Sequence, residues 1–387
     1  MAESPNVEHA VKERYSQAAS AREDALCCPV EYEARYLDVL PKELLERDYG
    51  CGDPSKHLRP GETVLDLGSG GGKVCYIAAQ VVGTEGKVIG VDMNDEMLDL
   101  ARRYRQEIGD RLGYHNVAFH KGKIQDLALD YEKLEHYLAE HPVTTASELE
   151  ALESWKEDQR RNHPMVPTAS IDVVVSNCVL NLVRPQDKTE LFREMHRVLR
   201  KGGRVVISDI VSDEDVPAHL QADAELWSGC LSGAFREDHF LTAFQEAGFY
   251  GIQILKRDET PWQTIEGIEF RAVTVEAFKG KEGPCLERHQ AVIYKGPWRS
   301  VTDDDGHTLF RGQRMAVCDK TFHIYSSEPY HDTIEPLEPY EDTPLSEAAP
   351  FNCRKDALRH PKETKGTEYS VTETTDAPYC GPDGDCC

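Results

Sequence analysis

The chain is short of positive charge: 44 Lys and Arg stand against 69 Asp and Glu, giving a formal charge of -25 over 387 residues. A surface of that sign repels phosphate backbones and anionic headgroups, so no nucleic-acid partner is expected. Long apolar runs are missing as well. No stretch approaches the roughly 18 apolar residues of a membrane span. Met1-Ala2-Glu3-Ser4-Pro5 also has neither the basic start nor the apolar core of a signal peptide. These absences predict a soluble, cytoplasmic monomer with no membrane partner.

Cysteine, by contrast, is plentiful at 12 residues. In a reducing compartment thiols serve as metal ligands, catalytic groups or core residues more often than as disulfides. The length allows two or three units. Composition divides the chain into an N-terminal segment over 1–60, carrying Cys27, Cys28 and Cys51, and a domain over 61–255 with a charged helical insertion at 128–168. A small α+β region follows over 256–327, then an acidic, Cys-ended tail over 328–387. The insertion reads as a solvated helical hairpin, with a lid as the alternative. The tail is rich in Pro, Glu, Asp and Thr and is expected to be loose or disordered.

From Thr63 the pattern becomes regular. Apolar strands read at Val64–Leu67, Val88–Val91, Val117–Phe119, Ile171–Ser176 and Val205–Ser208, with helical periods from Lys73, over Glu96–Arg105 and over Lys188–Leu199. That alternation predicts an α/β fold, a Rossmann-like parallel sheet with helices on both faces. Further strands are expected at Ile252–Lys256, Arg271–Phe278, Ala291–Tyr294 and Phe322–Tyr325.

The first strand runs into Asp66-Leu67-Gly68-Ser69-Gly70-Gly71-Gly72 and then a helix, where glycines let backbone approach a ligand. The second ends in Gly90-Val91-Asp92-Met93, placing an acid where it can bind both hydroxyls of a ribose. Dinucleotide enzymes share that geometry. Val198-Leu199-Arg200-Lys201-Gly202-Gly203-Arg204, before the fifth strand, separates the readings. Together these elements resemble the class I methyltransferases over about residues 60–255. The resemblance implies S-adenosylmethionine, with Asp66, Gly68, Ser69 and Gly70 at its methionine half, Asp92 on the ribose and Met93 on the adenine. Gln125 and Asp126 follow the third strand and face the adenine edge on this reading; a capping or loop carboxylate is the alternative for Asp126.

Three cysteines sit in tight or glycine-flanked settings: Tyr49-Gly50-Cys51-Gly52, Ser176-Asn177-Cys178-Val179-Leu180-Asn181-Leu182 and Trp227-Ser228-Gly229-Cys230-Leu231. None has the short spacing of a zinc knuckle, and each alone fits a buried core thiol. As a set they resemble the arsenite methyltransferases over about residues 25–320. That resemblance implies that Cys51, Cys178 and Cys230 hold trivalent arsenic as substrate and that Cys27 or Cys28 pairs with Cys51 in a redox step. It also adds Tyr49 and Asn177 to the cofactor residues, and implies a thiol reductant such as glutathione or thioredoxin and a role in arsenic detoxification.

The chemistry suits the residue types. Arsenic(III) is soft and thiophilic. Three sulfurs leave its lone pair free, and a nucleophile without a proton needs no general base. Methylation of oxygen or nitrogen normally needs one. The nearest candidate, His239, reads as a surface or core residue, and Cys75 as a packing residue. Cys380, Cys386 and Cys387 read either as a metalloid relay or as an incidental terminus. The competing functions are methyl transfer to a small carbon, oxygen or nitrogen nucleophile, and non-catalytic metalloid binding.

Overall fold

The computed structural model describes residues 7–20, 23, 30, 32–47, 49–353 and 357–364. The chain divides into two compact units, one up to Gly280 and one from Lys281.

In the first unit, apolar runs punctuated by glycine form β1 (Thr63–Leu67), β2 (Lys87–Asp92), β3 (Val117–Lys121), β4 (Ile171–Asn177), β5 (Leu199–Ser212), β6 (Phe235–Arg236), β7 (Tyr250–Arg257), β8 (Gln263–Ile265) and β9 (Ile268–Phe278). Among the described residues these make one sheet ordered β3-β2-β1-β4-β5-β9-β7, with β6 on β5 and β8 on β9. The pairs from β3 to β5 are parallel, and β9 is antiparallel to both β5 and β7. Strands buried on both faces need no alternation, and every residue of β4 is buried. Successive residues of β1 serve opposite faces: Val64 packs in the cluster of Ile77, Leu98 and Val206, and Leu65 in that of Phe192, Met195 and Phe244. β2 and β4 flank β1 on opposite sides, so the strand order reverses there. A crevice opens at the carboxyl ends of such strands.

Because β7, β8 and β9 join this sheet, the first unit runs to Gly280 instead of ending near 255. The insertion forms two helices, Tyr131–Glu140 and Ala146–Asn162, neither of which buries a residue. Tyr137 stacks on Trp155 with ring centroids 4.4 Å apart, and Thr145 and Glu148 form a capping box. The result is a solvated hairpin.

The second unit centres on Ala291–Tyr294, paired antiparallel with Arg314–Ala316 and Ile334–Leu337. Two expectations change here. Phe322–Tyr325 lies in a helix, Asp319–Tyr325, not a strand: the Cys318 side chain caps it by accepting from Thr321 N, and Phe322 and Tyr325, three apart, turn one face to the core. The acidic segment after 328 is not loose throughout: it supplies the strand Ile334–Leu337. Ile334 is buried and its strand completes the small sheet. Cys380, Cys386 and Cys387 lie outside the described residues.

Candidate active site

A cleft of about 430 Å³ opens over the carboxyl ends of β1, β2 and β4, within the usual range of roughly 300–1,000 Å³ for small-molecule sites. Tyr49, Asp66, Gly68, Ser69, Gly70, Asp92, Met93, Gln125, Asn177 and Cys178 all line it. Asp126 does not. It points to the insertion, where the Arg160 guanidinium grips it at 2.8 Å; a carboxylate matched by a bidentate arginine is spent on that pair.

The turn after β1 is built for close approach. Gly68 has φ 70°, and a Cβ there would stand 2.4 Å from Val179 Cγ1. Gly70 N donates to Asp92 Oδ2 and Asn94 N to Asp92 Oδ1, each at 2.8 Å. Burial raises the Asp92 carboxyl above its ordinary range, against those two bonds. Asp66 is buried and accepts from Cys75 Sγ at 3.2 Å. Cys75 therefore positions Asp66 in addition to packing.

Cys178 lines the opposite side, with Cys51 and Cys230 packed behind it. The Asn177 side chain works on the Cys51 loop: Oδ1 accepts from Cys51 N at 2.9 Å and Gly52 N at 3.1 Å, and Nδ2 donates to Gly52 O at 2.7 Å. A Cβ on Gly50 would collide with that amide at 2.2 Å, which is why glycine precedes Cys51. Cys178 follows with φ 60°, and Cys230 has φ 64°. A left-handed backbone costs a non-glycine residue about 1–3 kcal/mol and persists only where its surroundings enforce it. They do: Cys178 N donates to Ser208 O at 2.8 Å, and Cys230 Sγ donates to Cys178 O at 3.0 Å. Asn181 Nδ2 reaches Asp209 Oδ1, Ile210 O and Cys230 O.

Cys51, Cys178 and Cys230 are all buried and share one cluster. Cys178 alone of the three lines the cleft. Among the described residues the three sulfurs do not all come within 4.8 Å of one another, so one atom bound by all three must draw them together.

With this geometry in view, comparison with known proteins settles the kind of protein. Residues 58–248 match a methyltransferase domain and residues 281–369 a domain of unknown function. An arsenite methyltransferase of Aquipseudomonas alcaligenes is 31% identical, over 80% of this chain and 83% of that protein. The chain belongs to the arsenite methyltransferase family. The human arsenite methyltransferase is 26% identical over 91% of this chain and 86% of its own length. One from Halobacterium salinarum is 34% identical over 65% and 59%. The crystal structure of an arsenic(III) S-adenosylmethionine methyltransferase from Chlamydomonas reinhardtii superposes with a TM-score of 0.53 at 26% identity, covering 84% of this chain and all of that one. This family member is thus an S-adenosylmethionine-dependent methyltransferase with a class I α/β fold.

Several site residues escape a reading of its sequence. The helix Val7–Ser20 brings His9, Lys12 and Tyr15 to the cleft, and Tyr15 Oη lies 3.7 Å from Cys230 Sγ. Burial, then the nearby Cys230 and Cys178, raises the Tyr15 phenol well above its ordinary value, so it stays protonated and can donate. Asp209 is 1% exposed and accepts from Leu180 N, Asn181 Nδ2 and Ile210 N. Burial lifts its pKa to about 6. An acid inside an apolar strand was the available signal. His239 is exposed and bonded to Arg236, away from the cleft. Cys27 and Cys28 lie outside the described residues. No helix among the described residues is long and apolar enough to cross a membrane.

Proposed function

We propose that this chain methylates trivalent arsenic, arsenite or methylarsenite, held by Cys51, Cys178 and Cys230. The observation that carries the reading is the pair of left-handed cysteines, Cys178 and Cys230, tied together by a sulfur–carbonyl bond, with Cys178 lining the cleft. Core thiols have no need of such backbone.

The cleft fits S-adenosylmethionine. Ser69 Oγ is buried there without a partner, and the Cβ position of left-handed Gly70 faces open space. Asp66 and the Gly68–Gly70 turn would hold the methionine part, Asp92 the ribose, and Met93 and Gln125 the adenine. When bound, the cofactor supplies an electrophilic sulfonium methyl group. Thiolates bind the soft arsenic and leave its lone pair free. Buried Cys178 sets the arsenic at the cleft, and Asp209 and Asn181 hold the loop that carries it. Alignment of this kind is worth up to roughly 7–11 kcal/mol. With no proton to remove, the wall needs no general base, and none of the residues around Cys178 is placed as one.

Transfer leaves arsenic formally oxidised by two electrons. Cys51 with Cys27 or Cys28 can return them by forming a disulfide, which a thiol reductant such as glutathione or thioredoxin reopens. The reading extends to arsenic detoxification by a cytoplasmic monomer. Its test is direct: with arsenite, glutathione and labelled cofactor, the purified chain yields methylated arsenicals. Cys178→Ser loses at least about a hundredfold in rate while still binding cofactor. Undiminished turnover by that variant refutes the thiol assignment, and absence of methylated arsenicals from the unaltered chain refutes the substrate.

A further inference from the structure

The C-terminal unit holds a second set of three cysteines. Cys285 precedes a short strand, Leu286–Glu287, that pairs with Ala349–Pro350, and Phe351 N donates to Cys285 O at 2.9 Å. That pairing carries Cys353 toward Cys285. Cys318 caps the helix Asp319–Tyr325, where its sulfur lies 3.4 Å from Thr321 N and 3.1 Å from Thr321 Oγ1. Arg288 Nη1 reaches Asp319 at 2.9 Å and ties that helix to the strand segment. Three distant segments thereby bring three free thiols together, with all sulfurs within 4.8 Å of one another.

Three soft donors at that spacing are a ligand set, and the question is for what. Zinc in a structural site takes four ligands. Among the described residues no fourth Cys, His, Asp or Glu joins this group. His307 lines the same small cavity, its Nδ1 lying 2.9 Å from Asp303 Oδ2, but its ring nitrogens do not come within 4.8 Å of all three sulfurs. Trivalent arsenic is complete with three sulfurs and a lone pair. Beside the thiols lies a space of about 20 Å³, edged by Leu309, Met315 and Phe351. His307, Thr308 and Thr321 also line it, and it leaves room for a lone pair. It is far too small for a nucleotide-sized cofactor.

We propose that Cys285, Cys318 and Cys353 form a second trithiolate site, which binds trivalent arsenic without methylating it. The ligand's identity rests on the proposed function; the ligand set does not. Binding exchanges ligands without redox change: arsenious acid loses three hydroxyls, three thiols lose their protons, three arsenic–sulfur bonds form and three waters leave.

The test uses the full chain carrying Cys51→Ser, Cys178→Ser and Cys230→Ser, with Cys27, Cys28, Cys380, Cys386 and Cys387 also changed to Ser so that they bind no arsenite, reduced with a phosphine because thiol reductants compete for arsenite. After addition of arsenite and no cofactor, bound arsenic is counted by mass spectrometry and its neighbours by X-ray absorption. The expected result is one arsenic per chain with three sulfur neighbours, and Cys285, Cys318 and Cys353 protected from alkylation. Adding Cys318→Ser or, separately, the less buried Cys353→Ser lowers binding at least tenfold, with circular dichroism checking the fold of each. Arsenic binding that survives both substitutions overturns the proposal, as does zinc that co-purifies on these thiols and resists arsenite. A chain that binds arsenic here but methylates none leaves this site standing and removes the proposed function.

Discussion

The two thiol sets use the same ligands in opposite settings. Cys285, Cys318 and Cys353 are already close, beside a space of about 20 Å³. Cys51, Cys178 and Cys230 are wider apart, two of them on left-handed backbone, and Cys178 borders a cleft of about 430 Å³. A site that only holds an atom gains from donors preset at bonding distance. A site that must also present the atom to a cofactor gains from donors on separate, braced loops, and on the proposed function the left-handed backbone at Cys178 and Cys230 is the cost of aiming them. The difference lies in the surroundings of the sulfurs.

The bracing group is the most exposed to test. Asp209 holds Leu180 N and Asn181 Nδ2 with a carboxyl that burial raises from 3.8 to about 6, partly offset by the buried Lys188, itself lowered to about 8. A carboxyl raised in the fold stabilises it most when protonated, below the unfolded value, and that stability is lost as pH rises through about 6. Over the full range the group is worth on the order of 3 kcal/mol, and about 2 kcal/mol between pH 4.5 and 7. Asp209→Asn cannot titrate. The stability of the unaltered protein relative to this variant should therefore fall by about 2 kcal/mol between those pH values in urea melts. A pH-independent difference would show that Asp209 is not the strained brace described.

The next effect separates the sets by their access to cofactor. S-adenosylhomocysteine in the cleft should slow alkylation of Cys178 about tenfold, by shielding its side and by stabilising the folded unit against local opening. Cys285 and Cys353, in the other unit, should react at unchanged rates. Peptide-resolved labelling with a small alkylating agent reads both at once. Equal protection of the two sets would dissolve the contrast, and no protection of Cys178 would place it away from the bound cofactor.

How much of this is legible in the sequence follows from how local each cause is. The glycine turn after β1, Asp92 at the end of β2 and the strands through β5 are set by short runs and are read directly. The helix Val7–Ser20 is not, because what makes it part of the site is tertiary: Arg14 Nη1 donates to Glu225 O and Ser228 Oγ, and Ser16 to Glu96. Asp126 misleads for the same reason, since its partner Arg160 lies 34 residues on, in the insertion. Asn177 sits in the motif, yet only the fold shows its amide spent on the Cys51 loop. Cys285, Cys318 and Cys353 carry no spacing signal at all. Strand pairing and a helix cap bring them together.

The smallest effect concerns Tyr15, which borders both the cleft and a thiol. Its hydroxyl is 3.7 Å from Cys230 Sγ, and it also borders the cleft. Burial keeps the phenol protonated, so toward a thiolate it can only donate. One such bond is worth about 0.5–1.5 kcal/mol. Tyr15→Phe keeps the ring that packs with Ala18, Ala19 and Met97 and removes only the donor. Arsenite affinity at the first set should weaken about threefold to tenfold, with the second set unchanged, because nothing in the other unit depends on this hydroxyl. Titration with cofactor absent, comparing unaltered chain and variant, measures this. If the loss appears instead in the Michaelis constant for S-adenosylmethionine, Tyr15 serves the cofactor, and the thiol wall relies on its backbone bracing alone.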